Sequence, residues 1–212
     1  MERRRRNLWT VGAISFSLLL FGILGIIQAQ KSSHTVALSK EIEAPLEGLP
    51  TIGGPFRLVD QYGVVRTEAD FKGKPMLVYF GYTYCPDICP TALYNMTNAL
   101  NQLGGGQKIQ PVFISFDPKR DTVDHLKTYA QNFHKDFVLL TGSTEEVNQA
   151  VKNYLVYAAR TSKDRGEEHY LMAHSSLIYL MDRNGKFVAH FDHTTPPEEM
   201  VKRINHYLKT GK

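Results

Sequence analysis

Cysteine is scarce in this chain: its 212 residues carry only Cys85 and Cys89. Any thiol chemistry is therefore confined to one short stretch. A structural zinc site is a poor fit, because a closed tetrahedron takes four protein ligands. An excess of one charge is missing too, once the first few residues are set aside. The formal charge of +4 comes mostly from Glu2 to Arg6, which holds four arginines and one glutamate, and the remainder has 21 basic and 20 acidic residues. That balance supplies no basic surface for nucleic acid. Internal repeats and low-complexity tracts are absent as well.

The stretch that organises the chain is Met76 to Pro90, MLVYFGYTYCPDICP. Met76 to Phe80 is short, apolar and rich in β-formers, which reads as a strand buried on both faces and ended by Gly81. From Pro86 onward Ile88, Leu93, Met96 and Leu100 fall at helical spacing, and a proline in the first turn is compatible with a helix. A strand thus delivers Cys85 to a helix N-terminus. Residues four apart on a helix share a face, about 5–6 Å apart at Cβ, so the two sulfurs can converge on one ion or close a disulfide. The free N–H groups and the dipole at a helix start favour thiolate, which suits metal ligation and disulfide exchange alike. A buried, inert pair is the plainer alternative, but two prolines and a tight turn are poor core material. A peroxiredoxin-type site fits less well, since it takes threonine three residues before its reactive cysteine. Here those places hold Tyr82 and Pro86.

Residues 1–7 form a basic end, and residues 8–27 are an uncharged, largely apolar run. A bilayer is spanned by about 20 such residues. Arginines on the N-terminal side put that end in the cytoplasm and export the rest of the chain. The expected topology is a single-pass protein of the bacterial inner (cytoplasmic) membrane with its C-terminal domain on the periplasmic side. A cleaved signal peptide ending near Ala29 is the alternative, although the run exceeds the usual apolar core of roughly 7–15 residues. The lack of a cysteine near the end of the run excludes a lipoprotein anchor. Residues 28–50 are polar and read as a tether, and residues 51–212 are the size of one domain with a real core.

Within that domain Phe56 to Asp60 and Val64-Val65 predict a small hairpin. Gly104 to Gly106 stops the Cys85 helix, and Ile109 to Phe116 forms a second apolar strand ending in Asp117-Pro118. Asp121 or Thr122 caps a helix through Phe133, and Phe137 to Leu140 is a strand. Ser143-Thr-Glu-Glu146 has capping-box spacing for a helix through Tyr154. Val156 to Thr161 reads as extended and Ser162 to Tyr170 as a charged loop. Ser176 to Met181 and Lys186 to Asp192 flank the turn signal Asn184-Gly185, and Pro196-Pro197 opens a last helix to about Leu208. This order predicts an α/β, thioredoxin-like mixed sheet flanked by helices.

Two thiolates suit soft Cu(I), and a trigonal site takes a third donor, usually imidazole. Of the eight histidines, His34 is in the tether, His125, His134 and His206 fall in predicted helices, His193 is in a loop, and His190 lies on the polar side of its strand. His174 differs, because it stands where the chain runs into the apolar strand at Ser176. In a thioredoxin-like fold that loop passes close to the cysteine motif. His169 and Met172 are also capable of ligating copper but read as loop residues. Asp117, at the C-terminal edge of its strand, is either a neighbour of the metal site or the start of an Asp-Pro turn.

The motifs Tyr82-Thr-Tyr-Cys85-Pro-Asp-Ile-Cys89-Pro90, Ser115-Phe-Asp117-Pro-Lys-Arg-Asp121-Thr, Leu140-Thr-Gly142 and His174-Ser-Ser together resemble the Sco/SenC proteins. These are membrane-anchored, thioredoxin-like copper proteins that help assemble the Cu(A) centre of cytochrome c oxidase. The resemblance implies Cys85 and Cys89 as copper ligands, His174 as the third, and Asp117 as a nearby acidic residue that affects metal or redox behaviour. Many relatives carry Asp just before the histidine, where this chain has Ala173. The implied function is a copper-binding assembly factor, a metallochaperone without turnover of its own. Its implied partners are the oxidase's copper-binding subunit, a copper donor and a thiol-disulfide reductant. The alternative is a thiol-disulfide reductase that keeps the acceptor's cysteines reduced.

Overall fold

The computed structural model describes residues 51–161 and 170–211. Residues 1–50, with the predicted anchor and tether, and residues 162–169, with His169, lie outside the described residues. Among the described residues no helix is long and apolar enough to cross a membrane.

The predicted hairpin is β1 (Arg57–Asp60) with β2 (Val65–Thr67), joined through Gly63 at φ 80°. The apolar run becomes β3 (Met76–Gly81), buried at every position. It is followed by helix α1 (Ile88–Leu103), which ends on left-handed Gly104, and by β4 (Gln110–Ser115). Helix α2 (Val123–Tyr129) starts on Thr122, whose side chain accepts from His125 N, so Thr122 and not Asp121 is the cap. A 3-10 turn (Ala130–Asn132) comes next and the chain leaves helical geometry by Phe133, so His134 sits in a loop rather than in a helix. Strand β5 is Val138–Thr141, and helix α3 (Thr144–Asn153) carries both halves of the capping box between Ser143 and Glu146.

Strands β6 (Ala158–Arg160) and β7 (Met172–His174) then pair as a small antiparallel sheet, with Ala158 opposite His174. Met172 and His174 are therefore strand residues, not the loop residues that their sequence suggests. Three residues carry no periodicity, and only their partner 14 positions earlier makes them a strand. Strands β8 (Leu177–Met181) and β9 (Phe187–Asp192) form the Asn184-Gly185 hairpin, and helix α4 (Pro197–Thr210) closes the chain with proline in its first turn.

The main sheet runs β2-β1-β5-β4-β3-β8-β9. Strands β3, β4 and β5 are parallel, while β1 and β8 flank them antiparallel. This is the mixed sheet flanked by helices that the element order predicts. Parallel strands need helical crossovers, which explains why β3 and β4 are apolar on both faces. The registers Gly81 to Ser115 and Tyr79 to Ile178 bring three chain segments out at the C-terminal end of β3 and β4. They are the loop 82–87, the loop after Ser115 and the segment leading into β8.

Candidate metal centre

Helix α1 begins at Ile88, not at Pro86 as its apolar spacing predicts. Pro90 explains the difference. A helix opening at Pro86 would need the Pro90 N–H for its first full turn, and proline has none; with Ile88 first, Pro90 falls among positions whose N–H has no partner anyway. Cys89 therefore sits in the first helical turn and Cys85 in the loop before it, so the two do not share a helix face. They meet by another route. The Cys89 N–H donates to Cys85 Sγ at 3.4 Å, while Asp87, in the cap position, makes no side-chain cap bond. The sulfur thus takes the place of a capping oxygen at the positive end of the helix.

The loop is held from below by Asp121. Its carboxylate is fully buried and accepts from Thr83 N (3.1 Å), Thr83 Oγ1 (2.6 Å) and Ser115 Oγ (2.5 Å). With the Thr83 hydroxyl proton committed there, His125 Nε2 donates to Thr83 Oγ1 at 2.8 Å. The His125 ring lies flat against Tyr84. Burial raises the Asp121 pKa, against the lowering effect of the bonds from Ser115 and Thr83.

His174 reaches the sulfurs from β7. Its Nδ1 is 2.9 Å from the Ser175 carbonyl. A carbonyl only accepts, so Nδ1 carries the proton and Nε2 presents a lone pair. That Nε2 lies 3.5 Å from Cys89 Sγ. The ring is wedged between Phe116, Tyr82 and Tyr79, with centroids 5.0, 6.1 and 6.3 Å away. Tyr82 also accepts the Met172 N–H at its hydroxyl, 3.3 Å away, tying β7 to the cysteine loop.

The two sulfurs and one ring nitrogen lie within 4.8 Å of one another, and among the described residues no other group of histidine, cysteine and carboxylate side chains converges in this way. Both cysteines are free thiols; Cys89 is buried, Cys85 half-buried. The neighbouring Cys89 thiol, with backbone N–H groups, holds Cys85 far below the usual thiol range. The same bond, burial and the neighbouring negative charge push Cys89 up. The two sulfurs are thus pulled in opposite directions, Cys85 toward thiolate and Cys89 toward thiol.

Asp117 does not join this group. It is buried, accepts from Arg120 Nε at 2.6 Å and receives the Tyr170 hydroxyl. Of the remaining described histidines, His134 faces Asp136, His190 stacks on Phe187 and His193 lies beside Asp192. Sequence reasoning overlooked Tyr170, assigned to a charged loop yet only 3% exposed. It also took Asp121 for a cap candidate. The one signal for both was the polar run Asp117 to Asp121, too dense in charge for a mere turn.

The SCO1/SenC family profile matches residues 45–209. The chain belongs to that family. A SCO2-like protein of Rickettsia prowazekii is 44% identical over 141 residues, 66% of this chain and 69% of that protein. The structure of Bradyrhizobium japonicum ScoI with copper bound is 41% identical and superposes with a TM-score of 0.68, covering 74% of this chain and 99% of the other. Yeast Sco1 with copper bound is 39% identical, with a TM-score of 0.70 over 76% of this chain and 90% of its own. The donor set in this family member fits such a metal: two sulfurs and an imidazole are soft and borderline ligands, and the tautomer already directs a lone pair toward the sulfurs.

Proposed function

We propose that this SCO1/SenC protein is a copper-binding assembly factor that delivers copper to, or matures, the Cu(A) centre of cytochrome c oxidase. The observation that carries the reading is the convergence of Cys85, Cys89 and His174 Nε2 within 4.8 Å. Copper is the cargo; the chain's own part is to offer Cys85 Sγ, Cys89 Sγ and Nε2. The copper-bound relatives support the choice of metal. Sulfur ligates as thiolate, so binding displaces thiol protons and affinity rises with pH. The domain, residues 51–212, stands on the periplasmic side of a bacterial inner membrane, held by the 8–27 anchor through the 28–50 tether. Its partners are the oxidase's copper-binding subunit, a copper donor and a thiol-disulfide reductant.

One observation favours a second activity at the same place. Cys85 is half-buried and its thiolate is stabilised, which suits attack on a disulfide in the acceptor. His174→Ala separates the two. It removes a metal ligand but leaves both sulfurs and the helix start in place. Copper(I) affinity of the purified full chain and oxidase activity in cells are expected to fall, with reduction of an oxidised acceptor peptide largely retained. Full oxidase activity in cells carrying His174→Ala, at native expression and without added copper, would turn the reading to the reductase.

A further inference from the structure

The site's donors arrive on two distant chain segments, the loop and helix start that hold Cys85 and Cys89 and, 85 positions beyond Cys89, the strand that holds His174. One side chain touches both. Arg120 places Cζ 3.5 Å from the Tyr170 ring centroid and donates from NH1 to the Tyr170 carbonyl at 3.0 Å. Tyr170 stands four residues before His174. The same guanidinium lies 4.7 Å from the ring centroid of Tyr84, the residue before Cys85, and 5.7 Å from that of Tyr82.

Arg120 is itself fixed. Its Nε donates to Asp117 at 2.6 Å, and the Tyr170 hydroxyl donates to the other oxygen of that carboxylate. Arg160 holds Tyr170 as well, with Cζ 3.6 Å from the centroid. Two guanidinium carbons that near one centroid must occupy opposite faces of the ring, so Tyr170 is sandwiched and its hydroxyl pinned. A planar fork that bonds through its edge and stacks through its face can do both tasks at once; lysine cannot.

We infer that Arg120 is a positioning residue for the metal site: through Tyr170 and Asp117 it holds the His174 strand against the cysteine loop. This rests on the ligation by His174 proposed above. Arg120 never meets the metal, and Asp117 acts by orienting Arg120 and Tyr170.

The test is a cycle of variants in the purified full chain, titrated with copper(I) against a chromogenic chelator. Outer residues that orient ligands typically contribute ten- to a hundredfold in metal affinity. Arg120→Gln is expected to weaken copper(I) binding by about that factor when His174 is present and by less than twofold in a His174→Ala background. Arg120→Lys is not expected to restore affinity. An equal loss in both backgrounds, or none in either, overturns the proposal. If His174→Ala alone leaves affinity unchanged, the ligation reading fails first, which is a separate result. Should Arg120→Gln not fold, Tyr170→Phe keeps the ring between its two cations and loses only the bond to Asp117. Its effect must likewise depend on His174. A metal-free measurement completes the test: iodoacetamide should reach buried Cys89 faster in Arg120→Gln than in the parent, and an unchanged rate contradicts the role.

Discussion

Replacing Gly81 by alanine tests whether the buried sulfur depends on a side chain that is not there. Gly81 ends β3 opposite Ser115, and a Cβ at that position would stand 2.8 Å from Phe113 Cε2, 3.0 Å from Cys89 Sγ and 3.0 Å from Tyr79 Cε1. Non-bonded carbons prefer about 3.5–4.0 Å, so each neighbour would have to yield by roughly 0.5–1 Å. Phe113, Cys89 and Tyr79 are all fully buried, which leaves none of them free to swing into solvent. Gly81 is not among the positive-φ glycines, so alanine brings no backbone strain and the effect reports the contacts alone. Inserting a methyl into such a core costs about 1–3 kcal/mol. With a urea m-value of about 2 kcal/mol/M, the unfolding midpoint should fall by roughly 0.5–1.5 M at unchanged slope. Copper(I) affinity should fall in the folded variant too, because Cys89 Sγ is one of the atoms displaced. A midpoint and an affinity both equal to the parent's would refute the reasoning.

Iodoacetamide at mildly acidic pH should modify Cys85 and spare Cys89, since the stabilised thiolate is the half-buried one; peptide mass mapping reads the outcome, and equal labelling would contradict the opposite pull on the two sulfurs. The folded-state pKa of Asp121 lies above its ordinary value of 3.8, so its contribution to stability is complete below that pH and is lost as pH rises through the raised value. Asp121→Asn, which keeps the shape and can still bond Thr83 and Ser115, should flatten that part of a stability-versus-pH curve measured by urea unfolding; an unaltered curve would show that Asp121 does not titrate there. Reporter fusions after residue 50 should be active only for a reporter that works outside the cytoplasm, and activity of a cytoplasm-only reporter would remove the topology.

Local signals carried a large part of this protein. The apolar run from Met76, the Asn184-Gly185 turn and the Ser143 to Glu146 box each declare an element within a few residues, because strand burial, turn geometry and capping are short-range physics. Even the later start of α1 was readable, in the missing N–H of Pro90. The cysteine pair was conspicuous because the chain has no other thiol. What tertiary structure alone decided is how distant polar groups divide their bonds. Thr122 takes the cap and frees Asp121 to turn inward, because Thr83, 38 positions away, supplies two donors. Tyr170 sits in charged sequence yet is buried, because Arg120 and Arg160 sandwich it and Asp117, 53 positions away, accepts its hydroxyl. His174 offers Nε2 rather than Nδ1 because the Ser175 carbonyl occupies the other nitrogen once β7 pairs with β6. Periodicity encodes which face of an element is apolar; it does not encode which partner arrives there, and the metal centre is made of such arrivals.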